Sequence, residues 1–173
     1  MVACENFAEK FAETATIHGE VMGAVCSRGA QCAVQCVVRC TTMRAVTFDS
    51  VGTVKVRDVP RPALAAATDA IVRVTCAGIC GSDLHPLWGR EKGLDIGTVM
   101  GHEFVGEVVE AGDAVAIARP GVTVFTPFTT SCGKCFYCER GLSCRCTSGQ
   151  LFGWRSNGHG LHGGQAEYVL VPL

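Results

Sequence analysis

Three residues in the middle of the sequence carry the ligand types of an open metal site. Cys80 lies in the segment GICGSDLH, and His102 and Glu103 follow later in the segment GHEF. Thiolate, imidazole and carboxylate ligands together suit zinc, and a catalytic zinc keeps one coordination position free for water or substrate. A single cysteine or histidine is a weak signal, because each also occurs as an ordinary core residue. The combination predicts a catalytic zinc held by Cys80, His102 and Glu103.

Polar side chains directly after Cys80 are suited to support that chemistry. Ser82 carries a hydroxyl two residues past the thiolate, where it is placed to take a proton from a substrate oxygen at the metal. Asp83 is placed to orient a ligand imidazole, and His85 would carry the proton path outward. The alternatives are helix capping by Ser82 and plain surface exposure of His85.

A second cysteine pattern is more specific. Cys132, Cys135 and Cys138 follow the spacing C-x2-C-x2-C, and Cys146 comes eight positions later. Four thiolates within tetrahedral reach form a closed zinc site, which is structural because no position remains for substrate. Buried or disulfide-bonded cysteines are the alternative, which a chain without secretory features disfavours. Cys144 is either a bystander or a competitor for the fourth ligand position.

Composition narrows the function classes. The chain has 173 residues, with 15 basic and 16 acidic side chains and no cluster of Lys and Arg, so nucleic acid is not an expected partner. No apolar run approaches the roughly 20 residues of a membrane-spanning helix. The 12 cysteines come without a basic start and a continuous apolar region, so we expect no signal peptide. These features predict a soluble, cytoplasmic protein without a membrane partner.

Short strands separated by Gly and Pro dominate the pattern from Met43 onward. Few long helical patterns occur there, so we predict a mainly β domain with short helices. The predicted strands cover residues 45–48, 54–56, 70–76, 104–111, 122–125 and 166–171.

Residues 1–42 differ from the rest, with early glutamates and late cysteines whose spacings match no zinc template. We predict a poorly ordered extension there and a domain over residues 43–173.

The segment Gly158–Gly163 satisfies G-x-G-x-x-G, which is typical of dinucleotide-binding turns. Such a turn needs a strand before it and a helix after it. Here the strand-like residues 166–171 follow instead, so we predict a Gly-rich loop in which His159 and His162 are solvated. No cofactor-binding residue is predicted in the chain.

From about Met43 to Leu173 the sequence resembles the GroES-like catalytic domain of zinc-dependent medium-chain alcohol dehydrogenases. The motifs that carry the resemblance are GICGSDLH, GHEFVGEVVEAG, the four-cysteine segment and the closing GGQAEYV. The resemblance implies a partly open β-barrel with a four-cysteine zinc lobe and two zinc ions per chain, one catalytic and one structural. Glu103 then approaches the catalytic zinc or lies just behind it.

The resemblance also implies oxidation of a small alcohol to an aldehyde or ketone, with NAD or NADP as hydride acceptor. A complete member of the family continues into a Rossmann domain, and this chain stops at Leu173. We therefore expect a fragment that lacks the cofactor domain and a fourth catalytic ligand and that has little activity alone. An oligomer or a complementing Rossmann domain is the expected protein partner.

Two other functions remain open at this level. One is a non-catalytic zinc-binding module for folding or interaction, which predicts one zinc per chain rather than two. The other is a co-chaperonin-like ring subunit, which rests on the barrel alone and predicts ring assembly without zinc.

Overall fold

The structure, a computed structural model, describes residues 41–172. All of these residues fall within one compact unit, Cys40–Leu173. The extension predicted for residues 1–42 lies outside the described residues except for Thr41 and Thr42, and Thr42 already begins the first strand.

The described residues are mainly β, as predicted, with short helical segments. The helical segments are one α-helix, α1 (Leu84–Leu87), and the 3-10 turns Gly81–Asp83, Cys138–Arg140 and Ser143–Arg145. Within residues 41–172, no helix is both long and apolar enough to cross a bilayer. The strands are β1 (Thr42–Ser50), β2 (Thr53–Pro60), β3 (Asp69–Ala77), β4 (Phe104–Ala111), β5 (Thr123–Phe125), β6 (Trp154–Ser156), β7 (His159–Leu161) and β8 (Tyr168–Pro172).

The strands form one four-stranded antiparallel sheet and two hairpins. The large sheet has the order β5-β4-β3-β8, and β1-β2 and β6-β7 form the hairpins. Isolated bridges connect β1 to the residues that precede β4 and β8, at Thr47–Val99 and Ala45–Ala166. These links fold the first hairpin against the large sheet and produce the partly open barrel that the resemblance implied.

Strand β3 is the centre of this arrangement because it pairs with β4 on one side and β8 on the other. Its residues Ala70, Ile71 and Val72 are at most 1% exposed, which explains the unbroken apolar run in the sequence. By contrast, most residues of β2 are exposed, and charged and apolar residues alternate along it. The buried part of β3 is continuously apolar, whereas β2 alternates because much of it faces water.

The main core lies between the large sheet and the loops that cover it. Phe152, which follows the cysteine lobe, packs edge-to-face against Phe104 at the start of β4, with 5.3 Å between ring centroids. Both rings are nearly fully buried. The buried members of this cluster are Ala70, Val72, Phe104, Val108, Val115, Ala118, Phe152, Val169 and Val171.

Glycines allow the segment before β8 to lie directly on the segment before β4. The N–H of Gly163 donates to the carbonyl of Val99 over 2.8 Å, and that of Gln165 donates to Met100 over 2.9 Å. A Cβ at Gly163 would collide with the backbone of Met100, and one at Gly164 would collide with the Phe104 ring. Side chains at these two positions would therefore push the segment before β8 away from the segment that leads into His102.

The prediction of a loop for Gly158–Gly163 is wrong for residues His159–Leu161, which form strand β7. Asn157 and Gly158 have φ values of 52° and 77°, so the chain turns tightly between β6 and β7. Two successive left-handed residues are typical of a type I′ hairpin, for which Asn-Gly is the preferred sequence. His162 is also engaged rather than merely solvated, since its Nδ1 accepts a hydrogen bond of 3.1 Å from the Val99 N–H.

Replacement of Ile71 by alanine tests the importance of the central strand. Ile71 is 0% exposed, so Ile71→Ala should lower the free energy of unfolding by about 2–5 kcal/mol through lost burial and a residual cavity. The midpoint of urea unfolding measures this change. Val56→Ala is the matched control, because Val56 on β2 is 50% exposed and should change stability by less than about 0.5 kcal/mol. Equal losses for both variants would contradict the assignment of β3 as the buried centre.

Candidate metal centres

The pairing of β3 with β4 brings the first set of predicted ligands together. Ala77 at the end of β3 pairs with Phe104 at the start of β4, and the Gly78 N–H donates to the Glu103 carbonyl over 2.8 Å. Cys80 therefore lies just past one strand end and His102 just before the adjacent strand start. The sheet register, rather than sequence proximity, makes these two residues neighbours.

The Asp83 carboxylate connects the two segments. Oδ2 accepts a hydrogen bond of 2.8 Å from the backbone N–H of Cys80, and Oδ1 lies 3.3 Å from Nδ1 of His102. Asp83 is only 8% exposed at its side chain, and His102 is 13% exposed. One buried carboxylate thus contacts both the 3-10 turn that presents Cys80 and the His102 ring. This geometry is compatible with the orienting role of Asp83, which stays a prediction.

The ring orientation leaves Nε2 of His102 free to act as a ligand. Nε2 lies 3.2 Å from the Ser82 hydroxyl, and that hydroxyl lies 3.3 Å from Sγ of Cys80. Hydrogen bonding to Asp83 is the main cause that raises the pKa of His102 to about 9, and hydrogen bonding from Ser82 is the main cause that lowers the pKa of Cys80. Zinc would compete with the proton at His102 and Cys80, because an imidazole and a thiol bind the metal in their deprotonated forms.

Glu103 completes this set. Its carboxylate, Nε2 or Nδ1 of His102 and Sγ of Cys80 each offer a ligand atom, and these atoms lie within 4.8 Å of one another. A Cβ at position 78 would come within 2.9 Å of Oε2 of Glu103, so the glycine there makes room for the carboxylate. The structure thus brings all three predicted ligands of the open site to one place.

A cavity of about 390 Å³ opens beside these groups. Its remaining wall is largely apolar, and Phe128, Phe152 and Trp154 supply aromatic surface. Nothing in the spacing of these aromatic residues relates them to Cys80, so the sequence alone did not point to them. The only local signal was an aromatic and glycine segment, LFGW, directly after the cysteine lobe. The cavity has the size and lining of a small-molecule site.

His85 lies on α1, three residues after Ser82. Among residues 41–172 its ring has one ionic neighbour, Glu91, with 3.5 Å between Nδ1 and Oε1. The His85 side chain is 41% exposed, so it can exchange protons with solvent. Its part in a proton path stays a prediction.

The second set of predicted ligands also converges. The Sγ atoms of Cys132, Cys135, Cys138 and Cys146 lie within 4.8 Å of one another, and those of Cys135 and Cys146 are 4.0 Å apart. Sulfur atoms around a tetrahedral zinc with bonds of about 2.3 Å would be about 3.8 Å apart. The lobe therefore fits a closed four-thiolate zinc site without rearrangement of its backbone.

Backbone N–H groups favour the thiolate form of Cys135 and Cys146, whereas desolvation raises the pKa of the Cys138 thiol to about 11. Those of Cys138 and Thr147 lower the pKa of Cys135 to about 5, and that of Cys132, which donates to Sγ of Cys146 over 3.3 Å, lowers the pKa of Cys146. Of these donors, Cys138 begins one of the two short 3-10 turns of the lobe. Cys144 is exposed and is not part of the cluster, so the geometry favours Cys146 as the fourth ligand.

Comparisons with known proteins agree with this architecture. A sequence profile described as "Alcohol dehydrogenase GroES-like domain" matches residues 66–173. A medium chain reductase/dehydrogenase of an Acremonium species is 50% identical over 133 residues, which cover 77% of this chain and 44% of that protein. The zinc-type alcohol dehydrogenase B of Aspergillus flavus is 48% identical over 130 residues, which cover 75% of this chain and 29% of that protein.

Solved structures show the same likeness. The alcohol dehydrogenase TADH from Thermus sp. ATN1 is 43% identical with a TM-score of 0.71, over 75% of this chain and 37% of that one. A zinc-binding dehydrogenase from Sinorhizobium meliloti, solved with NADP, is 40% identical with a TM-score of 0.62, over 76% of this chain and 36% of that one. The chain spans less than half the length of each of these relatives. By sequence and by fold, it belongs to the alcohol dehydrogenase GroES-like domain family.

Proposed function

We propose that residues 43–173 form the catalytic domain of a zinc-dependent alcohol dehydrogenase that oxidises a small alcohol to an aldehyde or ketone. One observation carries the proposal: the ligand atoms of Cys80, His102 and Glu103 converge within 4.8 Å in the wall of a cavity of about 390 Å³. A closed cysteine lobe needs no such cavity, so the open site is what favours an enzyme over a purely structural zinc module.

Two zinc ions per chain are part of the proposal. The open site would hold one, and the four cysteines of the lobe would hold the other. When bound in the open site, zinc supplies Lewis-acid polarisation of the substrate oxygen. Asp83 keeps the His102 ring in the orientation that ligation by Nε2 requires.

Ser82 is the residue best placed to receive the substrate proton. Its hydroxyl lies 3.2–3.3 Å from a candidate ligand atom on each side, so an alcohol oxygen that reaches the site also reaches Ser82. His85, exposed on the neighbouring helix, would pass the proton to solvent. The apolar aromatic wall would bind the carbon part of the substrate and exclude water.

The chain spans less than half the length of the relatives described above, and we propose that the hydride acceptor binds outside the matched residues. One similar structure was solved with NADP, and we propose NAD or NADP for the complete protein. The chain alone should then show little dehydrogenase activity and should depend on a complementing Rossmann domain or an oligomeric partner.

Zinc content tests the two-site proposal directly. Purified wild-type chain should contain about two zinc ions, and Cys80→Ser and Cys138→Ser should each retain about one, from different sites. Elemental analysis gives the number, and the matched control Cys144→Ser should keep both ions. One ion in the wild type, lost only in Cys138→Ser, would leave the structural module as the function.

The substitution Asp83→Asn tests how the open site is held. An amide oxygen can still accept from the Cys80 N–H, but the amide N–H groups then face Nδ1–H of His102 and disfavour the ligand tautomer. Zinc affinity of the open site should fall by about 10–100-fold, measured by competition with a chromophoric chelator. The exposed Asp113→Asn is the control, and unchanged affinity in Asp83→Asn would contradict the orienting role.

Catalysis is testable in a chimera. Residues 43–173 would replace the matched part of the Thermus alcohol dehydrogenase, and alcohol-dependent reduction of NAD or NADP would be followed by absorbance. Ser82→Ala in this chimera should lower kcat by about 100-fold or more, with zinc content unchanged. Full activity of Ser82→Ala would remove Ser82 from the mechanism, and an inactive chimera with both zinc ions bound would contradict the enzyme proposal.

A further inference from the structure

A second cavity, of about 580 Å³, has a different character from the metal pocket. Its polar lining comes from two arginines, Arg61 and Arg155, together with His162 and Tyr168. No aspartate or glutamate is among the described residues that line it, and it shares no lining residue with the metal pocket. A cavity with cationic groups and no lining carboxylate attracts anions.

Strand alternation separates the two cavities. Trp154 lines the metal pocket, and the next residue of β6, Arg155, lines the second cavity. The same alternation occurs at Met100 and Val99, which line the first and second cavity respectively. Successive side chains of an extended chain point to opposite faces, so the two cavities lie on opposite faces of these segments.

Arg155 carries a charge without a carboxylate partner among residues 41–172. Its NH1 lies 3.0 Å from Nε2 of His162, and NH2 donates to the Gly158 carbonyl over 2.8 Å. Both contacts hold the guanidinium in place without neutralising it. The fork of a fixed guanidinium matches a carboxylate or phosphate in two-point binding.

Arg61 supplies the second cation, and two side chains contact its guanidinium. Its NH2 donates to Glu110 over 2.9 Å, and its guanidinium lies 4.3 Å from the ring centroid of Tyr168. Nε of Arg61 is buried and has no hydrogen-bond partner among the described residues. Glu110 offsets part of this charge, so Arg155 is the stronger anion-binding group and Arg61 the supporting one.

We propose that this cavity binds a small organic anion, with a carboxylate or phosphate head at Arg155 and Arg61 and an apolar body along the remaining wall. That wall is built mainly from apolar residues, which suit an aliphatic or aromatic body: Met43, Val59, Pro60, Pro62, Val99, Leu161, Val169 and Leu170. The site is independent of zinc and of the proposed dehydrogenase reaction.

The experiment titrates the full zinc-loaded chain with hexanoate, hexyl phosphate, inorganic phosphate and the neutral hexanamide by isothermal calorimetry. At least one of the two hexyl anions should bind at least about tenfold more tightly than hexanamide. The stronger of the two identifies the head group, and weaker binding of inorganic phosphate than of hexyl phosphate supports the apolar wall. Equal binding of hexanamide, or no binding of either hexyl anion, overturns the proposal.

Variants locate the binding. Arg155→Gln, which removes the charge and keeps a polar amide, should weaken binding of the anion about tenfold or more. The exposed Arg119→Gln should change it less than about twofold. Cys80→Ser should bind the anion like wild type, because the site does not use the open metal centre. Equal loss in Arg119→Gln, or loss in Cys80→Ser, places the anion elsewhere and overturns the assignment. Urea midpoints confirm that each variant is folded before it is titrated.

Discussion

The candidate catalytic site depends on the two hydrogen-bonding contacts of the Asp83 carboxylate. One oxygen holds the turn that presents Cys80, and the other holds the ring of His102, which comes from a different strand connection. Because the carboxylate is buried, it makes both contacts with little competition from water. Without it, the thiolate and the imidazole would be joined only through Ser82, whose hydroxyl lies between them.

This arrangement requires the sheet to bring two strand ends to the same edge. The register of β3 with β4 does so, and the glycines before β8 let a third segment pack directly behind Met100 and Gly101. The cysteine lobe is different, because its ligands lie close together in the sequence and are shaped by short 3-10 turns. The open site thus depends on tertiary strand pairing, whereas the four-cysteine site depends on local chain geometry.

The hairpin β6-β7 lies between the metal pocket and the cationic cavity. It carries Trp154 toward the metal pocket and Arg155 toward the cationic cavity. An Asn-Gly turn fixes the register of this hairpin, so the two side chains cannot exchange faces without breaking it. A single short element therefore separates an apolar surface suited to an alcohol from a charged surface suited to an anion.

The sequence alone predicted the mainly β class and six of the eight described strands, because period-two patterning is a local property. It also pointed to the four-cysteine set through the short C-x2-C spacing. It did not reveal the β6-β7 hairpin, although Asn157 and Gly158 at its turn carried the signal. Tertiary structure alone decided the wall formed by Phe128, Phe152 and Trp154 and the placement of Arg61 and Arg155 in one cavity. These depend on contacts between segments far apart in the chain, which no local pattern encodes.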